Sequence, residues 1–105
     1  MKTATVQKEI RVVVGELLPT LNIDGDYEYD EPEPLQEMIS VSRAAAVSFM
    51  KLWLQHYKQL KPEGVFEAHA TEYVFDDLDG EWYAAFNVSK YAGDKSKWVW
   101  YPLAN

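Results

Sequence analysis

Ser-Arg-Ala-Ala-Ala-Val-Ser-Phe-Met-Lys-Leu-Trp-Leu-Gln-His-Tyr-Lys-Gln-Leu, residues 42–60, is the stretch on which the fold turns. Ala46, Phe49, Met50, Trp53, Tyr57 and Leu60 recur at spacings of three and four, which puts them on one face of a helix. Arg43, Lys51, Gln55, Lys58 and Gln59 fall largely on the other. Ala44 to Ala46 are strong helix formers, and Ser40 or Ser42 can cap the free amides of the first turn. Lys58 and Lys61 suit the negative C-terminal end of the helix, and Pro62 stops it. A face built from Phe, Met, Trp and Tyr needs a flat apolar surface to cover.

The chain after Pro62 supplies that surface, because its apolar period changes from about 3.6 to two. Val65 to Phe75 reads as a strand with room for a bulge. Asp76-Asp77-Leu78-Asp79-Gly80 reads as a hairpin loop in which Gly80 takes a left-handed conformation. Glu81 to Ser89 alternates cleanly, with Trp82, Ala84, Phe86 and Val88 on one face and Tyr83, Ala85, Asn87 and Ser89 on the other. Ala92-Gly93-Asp94 makes a turn, and Ser96 to Tyr101 forms a third strand closed by Pro102. Alternation within it puts Trp98 and Trp100 toward the core, and Val99 and Tyr101 outward.

Before the helix the signals conflict. Val6, Ile10, Val13 and Leu17 fit a helical face, whereas Ile10, Val12 and Val14 fit a strand. Three successive valines favour a strand, and Gly15 weakens a helix. Glu9, Glu16, Leu17 and the stop at Pro19 favour a helix, which is the expectation for residues 6–18. Residues 22–34 read as a loop, with turn chemistry at Asp24-Gly25-Asp26 and two prolines, Pro32 and Pro34. Its length marks it as mobile or functional. Leu35 to Ile39 reads as a short helical lead-in with Pro34 at its first position. The fold expected is therefore α+β: one domain over residues 1–105, with one or two helices packed on a C-terminal three-stranded antiparallel meander.

Charge narrows the function. The net charge is −7, and fifteen of the seventeen acids fall in two stretches without Lys or Arg. The first, between Arg11 and Arg43, holds Glu16, Asp24, Asp26, Glu28, Asp30, Glu31, Glu33 and Glu37. The second, between Lys61 and Lys90, holds Glu63, Glu67, Glu72, Asp76, Asp77, Asp79 and Glu81. Binding to nucleic acid by phosphate neutralisation, or to anionic membranes, needs clustered Lys and Arg, so both are disfavoured. Such a field attracts a basic protein. Zero cysteines remove disulfides and thiolate chemistry together. The run Ile10 to Leu18, broken by Arg11, Gly15 and Glu16, is neither a signal peptide nor a membrane span. The location expected is cytoplasmic.

Two constellations stand out. In the acidic loop Asp24, Asp26, Glu28, Asp30 and Glu31 interleave with Tyr27 and Tyr29. Carboxylates between aromatic rings imitate the phosphates and bases of a nucleic acid, or supply aromatic anchors with a charged rim. Asp76, Asp77 and Asp79 make a second acidic tip. Counting Asn22 as the first position, Asp24, Asp26, Glu28, Asp30 and Glu33 also fall near calcium-loop spacing. Tyr27 stands where that loop needs glycine, and prolines stand where its second helix begins. No metal or cofactor is expected. His56 lies on the helix and His69 mid-strand near Glu67 and Glu72, a base–carboxylate pairing that gives a minor enzymatic alternative.

The reading that follows is a small, non-enzymatic, acidic protein-binding module. Its nearest functional type is an inhibitor or immunity protein of the phage or mobile-element kind, occluding a basic, nucleic-acid-binding surface of a partner. Binding is expected through Asp24, Asp26, Tyr27, Glu28, Tyr29, Asp30 and Glu31, or through Asp76, Asp77 and Asp79. The alternative is a homo-oligomeric subunit joined through Trp98 to Tyr101, where Lys90, Lys95 and Lys97 give a locally basic end able to attract acidic surfaces of other copies.

Overall fold

A computed structural model describes residues 7–29 and 32–103. Its first element is a strand, β1 (Lys8–Leu17), which overturns the helix expected over residues 6–18; Val6 lies outside the described residues. Ile10, Val12 and Val14 alternate along it and are all fully buried. The period-two signal therefore outweighs the helical one, as three consecutive β-branched residues favour. Gly15 belongs to a strand for a separate reason. A Cβ there would lie 2.7 Å from the carbonyl oxygen of Glu33 and 2.8 Å from Cβ of Pro32. Glycine is the residue that lets the neighbouring backbone come this close.

The chain then makes a small separate hairpin, β2 (Pro19–Leu21) and β3 (Tyr27–Tyr29). It returns as β4 (Glu33–Ser40), antiparallel to β1. The expected loop at 22–34 is thus partly strand, and the helical lead-in at Leu35–Ile39 is strand throughout. Pro34 is tolerated because β4 is an edge strand and the register shifts opposite it, between Val14 and Gly15. Helix α1 (Arg43–Leu60) follows, with the Ser42 side chain accepting from the Ala45 amide at 3.3 Å. Next come β5 (Val65–Asp76) and β6 (Glu81–Tyr91), with Gly80 left-handed in their turn. The last piece, β7 (Tyr101–Pro102), pairs with Phe86 and Asn87. The expected third strand at 96–101 is reduced to this fragment, yet Trp98 and Trp100 are half-buried against the core and Val99 and Tyr101 are exposed.

The result is α+β, with one helix and a five-stranded antiparallel sheet in the order β4-β1-β5-β6-β7. The expected three-stranded meander matches it only loosely, because β1 inserts beside β5 and recruits β4. Helix α1 joins β4 to β5 across β1 and lies over these three strands. Ile10, Val12, Val14, Phe66, Ala68, Ala70 and Val88 meet Ala46, Met50 and Leu54 of the helix. The alanines on both sides let helix and sheet approach closely. The helix face differs from the expected one by a rotation. Leu54 is buried, Phe49, Trp53 and Tyr57 are half-buried at the margin, and Leu60 is exposed.

A second departure lies in β6. Glu72 pairs with Phe86 and Tyr73 with Ala84, so Ala85 is an extra residue in a bulge. The bulge flips the alternation. Phe86, Val88 and Lys90 stay on the helix side, while Trp82 faces the opposite side and packs on Phe75, ring centroids 5.3 Å apart. The strict alternation expected for Glu81–Ser89 puts Trp82 and Phe86 on one face and fails at that residue. Among the described residues no element covers this opposite face of the sheet.

Candidate interaction surfaces

Asn22 builds the turn of the β2–β3 hairpin. Its Oδ1 accepts from the amides of Asp24 at 3.0 Å and Asp26 at 2.9 Å, and its Nδ2 donates to Glu28 Oε1 at 3.1 Å. Its own amide donates to the Asp26 carbonyl at 2.8 Å, and Gly25 has a left-handed φ of 85°. Side-chain-to-backbone bonding of this sort is why Asn and Gly build tight turns. Asp24, Asp26 and Glu28 are consequently held on an ordered turn, not on a loose loop. Leu18, Leu21 and Ile23 are exposed on the same hairpin, and Ile23 lies fully in solvent. Tyr27 and Tyr29 pair through their backbones with Leu21 and Pro19. Asp30 and Glu31 lie outside the described residues.

The second acidic group occupies the β5–β6 turn. Leu78 donates its amide to Asp76 Oδ1 at 2.8 Å, and the Tyr83 hydroxyl donates to Asp79. That bond, helped by burial and the nearby carboxylate charge, pushes the Tyr83 phenol up to about 12. Leu78 is exposed almost completely. The two acidic tips therefore share one feature, an unburied aliphatic residue next to aspartate: Ile23 before Asp24, and Leu78 between Asp77 and Asp79.

The fold keeps them apart. β1 enters the first hairpin from Leu17, which pairs with Val65, whereas the second turn follows Asp76, beyond the pairing of Lys8 with Val74. They sit at opposite ends of the sheet. The molecule measures 61 × 32 × 22 Å, and its radius of gyration of 16.5 Å exceeds the roughly 13 Å expected of a compact chain this long.

The histidines are not brought together. His56 is exposed on α1, edge-on to Trp53 at 5.2 Å. His69 sits on the uncovered sheet face opposite Val13 and Ser89. Both of its expected partners make other bonds. Glu67 accepts from the Ser89 hydroxyl at 2.6 Å, and Glu72 points to the helix side, where Arg43 holds it. Among the described residues no group of three or more His, Asp or Glu is placed to hold a metal ion. No helix among them is long and apolar enough to cross a membrane.

One surface is not visible in the sequence as a unit. Lys51, Leu54 and Lys58 of α1 face Tyr91, Ala92, Asp94, Lys95 and Trp98 across an open groove of about 570 Å³. Lys51 lies over the Trp98 ring at 5.9 Å. Lys58 Nζ donates to the Gly64 carbonyl at 2.8 Å. Asp94, the one acid lining it among the described residues, is engaged by Ser96 and by buried Lys90, and these bonds hold its carboxyl below the usual range. Among the described residues no carboxylate pairs with Lys51, Lys58 or Lys95. Of the basic end expected at Lys90, Lys95 and Lys97, only Lys95 lines this groove; Lys90 is buried, donating to the Ser96 carbonyl at 2.6 Å, and the helix supplies the other two lysines. The available signal is that the lysines left over from the two acidic blocks cluster at 51–61 and 90–97.

No protein-family model, curated protein or solved structure matches the chain.

Proposed function

We propose that this protein is an acidic binding module that docks its β2–β3 hairpin onto a basic surface of another protein. One observation supports this most: Asp24, Asp26 and Glu28 are fixed on a bonded turn that stands clear of the core, with Ile23 fully exposed among them. An apolar residue ringed by charge is the composition of an interface anchor, in which burial supplies affinity and the carboxylates supply steering. Preordering of the turn lowers the entropic cost of docking. An inhibitor or immunity-type role is the form this takes if the partner's basic surface is itself a functional, nucleic-acid-binding one. The Asp76, Asp77 and Asp79 tip is the second reading, favoured by Leu78, which repeats the position of Ile23.

The test is capture from a lysate of the source cells with three baits: the native chain, Asp24→Lys/Asp26→Lys/Glu28→Lys, and Asp76→Lys/Asp77→Lys/Asp79→Lys. Basic proteins held by the native bait, eluted by salt and lost from the hairpin variant are expected. Retention of the same proteins by the hairpin variant with loss from the other moves the contact to the far tip. Retention by both removes the acidic reading altogether.

A further inference from the structure

The basic groove on α1 has an occupant whose chemistry is already present in the molecule. We infer that it receives the β2–β3 hairpin of a second copy, so that two chains close into a reciprocal dimer.

Three observations carry this. The first is charge. Lys51, Lys58 and Lys95 surround the groove on a chain of net charge −7, without ion-pair partners among the described residues. A groove of that sign takes a carboxylate-bearing segment. The second is the apolar floor, where Leu54, Ala92 and Trp98 lie between the lysines. It requires an occupant with an exposed apolar residue as well as acids, and the hairpin tip offers Ile23 beside Asp24 and Asp26. The third is position. Tyr91 pairs with Glu67 near the start of β5, so the groove opens at the end of the sheet from which β1 passes into the hairpin.

Bonding separates the two acidic tips. Leu78 and its aspartates share the required composition, but Asp76 Oδ1 already accepts from the Leu78 amide and Asp79 from the Tyr83 hydroxyl. Hairpin and groove at the same end permit a two-fold arrangement, in which each copy gives its hairpin and receives the other's. Closure doubles every contact and stops growth at two. The inference uses the same hairpin as the proposed function but does not need a foreign partner; the groove lysines belong to self-association alone.

The experiment is complementary charge reversal read by sedimentation equilibrium at fixed ionic strength. One variant is Lys51→Glu/Lys95→Glu, the other Asp24→Lys/Asp26→Lys; all four residues are exposed, so neither should unfold the chain. The native protein is expected to dimerise and each variant alone to weaken the dimer by about tenfold or more. An equimolar mixture of the two should recover it, because the acidic groove of one then meets the basic hairpin of the other. Ile23→Asp should abolish the dimer and Leu78→Asp leave it intact. A native chain that stays monomeric at high micromolar concentration overturns the inference, as does a mixture that fails to recover association. Association of any size that vanishes with Leu78→Asp overturns the assignment to the hairpin. The groove variant also separates this idea from the proposed function, since it should lose self-association while still capturing basic proteins.

Discussion

Arg43, at the first turn of α1, holds Glu72 of β5 in a two-bond contact, Nε to Oε2 at 2.6 Å and Nη2 to Oε1 at 3.2 Å. The carboxylate is buried, while the guanidinium is partly exposed and lies over the rings of Phe86 at 4.5 Å and Trp100 at 5.1 Å. This asymmetry makes the two ends of the pair unequal. Arg43→Ala leaves a carboxylate buried and unpaired, and should cost about 3 kcal/mol or more. Glu72→Ala leaves an arginine that can still reach water and stack on its aromatic neighbours, and should cost less. Urea denaturation of both variants checks the order; equal losses would mean that Glu72 is wetter than its burial indicates.

Gly15 should resist every substitution. Its left-handed freedom is irrelevant, since its φ is not positive; the obstacle is the Glu33 carbonyl and the Pro32 ring in the path of a side chain. Gly15→Ala should destabilise by about 1–3 kcal/mol, the range for overpacking. At an ordinary strand position with open space, alanine would instead stabilise relative to glycine. Thermal melting distinguishes these outcomes by sign.

The rotated helix face gives a graded series. Met50→Ala and Leu54→Ala empty the centre of the helix–sheet contact and should each cost about 2–5 kcal/mol. Trp53→Ala, at the margin, loses its stack on Tyr57, 5.6 Å away, and part of its burial. Leu60→Ala, exposed, should fall within about 0.5 kcal/mol of the native protein. A large loss at Leu60 would return the face to the one expected from spacing alone.

Tyr83 predicts an alkaline titration. Its folded value of about 12 lies above the ordinary 10.0, and the first cause is the hydroxyl's bond to Asp79. A raised value means the neutral form is favoured by folding. Whatever stability the bond adds is therefore complete below pH 10 and is lost as pH rises toward 12. Phenolate absorbance should show Tyr83 titrating above 10.0, and Asp79→Ala should return it toward that value.

How far the sequence could be read follows the range of the forces involved. The helix at 43–60, its cap at Ser42, the β5–β6 hairpin and Gly80 rest on neighbours a few residues apart, and each is legible from spacing and turn chemistry. β1 is not legible in the same way, because the contacts that settle it are distant: Val12 lies between Ala70 and Met38, and Gly15 against Pro32. A bulge is expected on the strand at 65–75, but the extra residue is Ala85 on its partner, whose composition alternates evenly. The hairpin carboxylates were visible as a cluster, but Asn22, which fixes them, reads in isolation as one more loop residue. The basic groove joins residues on either side of β5 and β6, a juxtaposition that only the folded chain supplies.

The order of the strands also sets an order of events. β5 and β6 meet through a turn of a few residues, and α1 needs no distant partner to form. β1 can pair with β4 early, but its other edge must wait, because Leu17 closes on Val65 and Lys8 on Val74, far along the chain. Closing so large a loop is the slow entropic step in a search for the native topology. On the ribosome this strand emerges before β5 and completes its pairing only after it. Throughout that interval Ile10, Val12, Val13 and Val14 form a β-prone segment whose flanking charges, Glu9, Arg11 and Glu16, are its defence against other nascent chains.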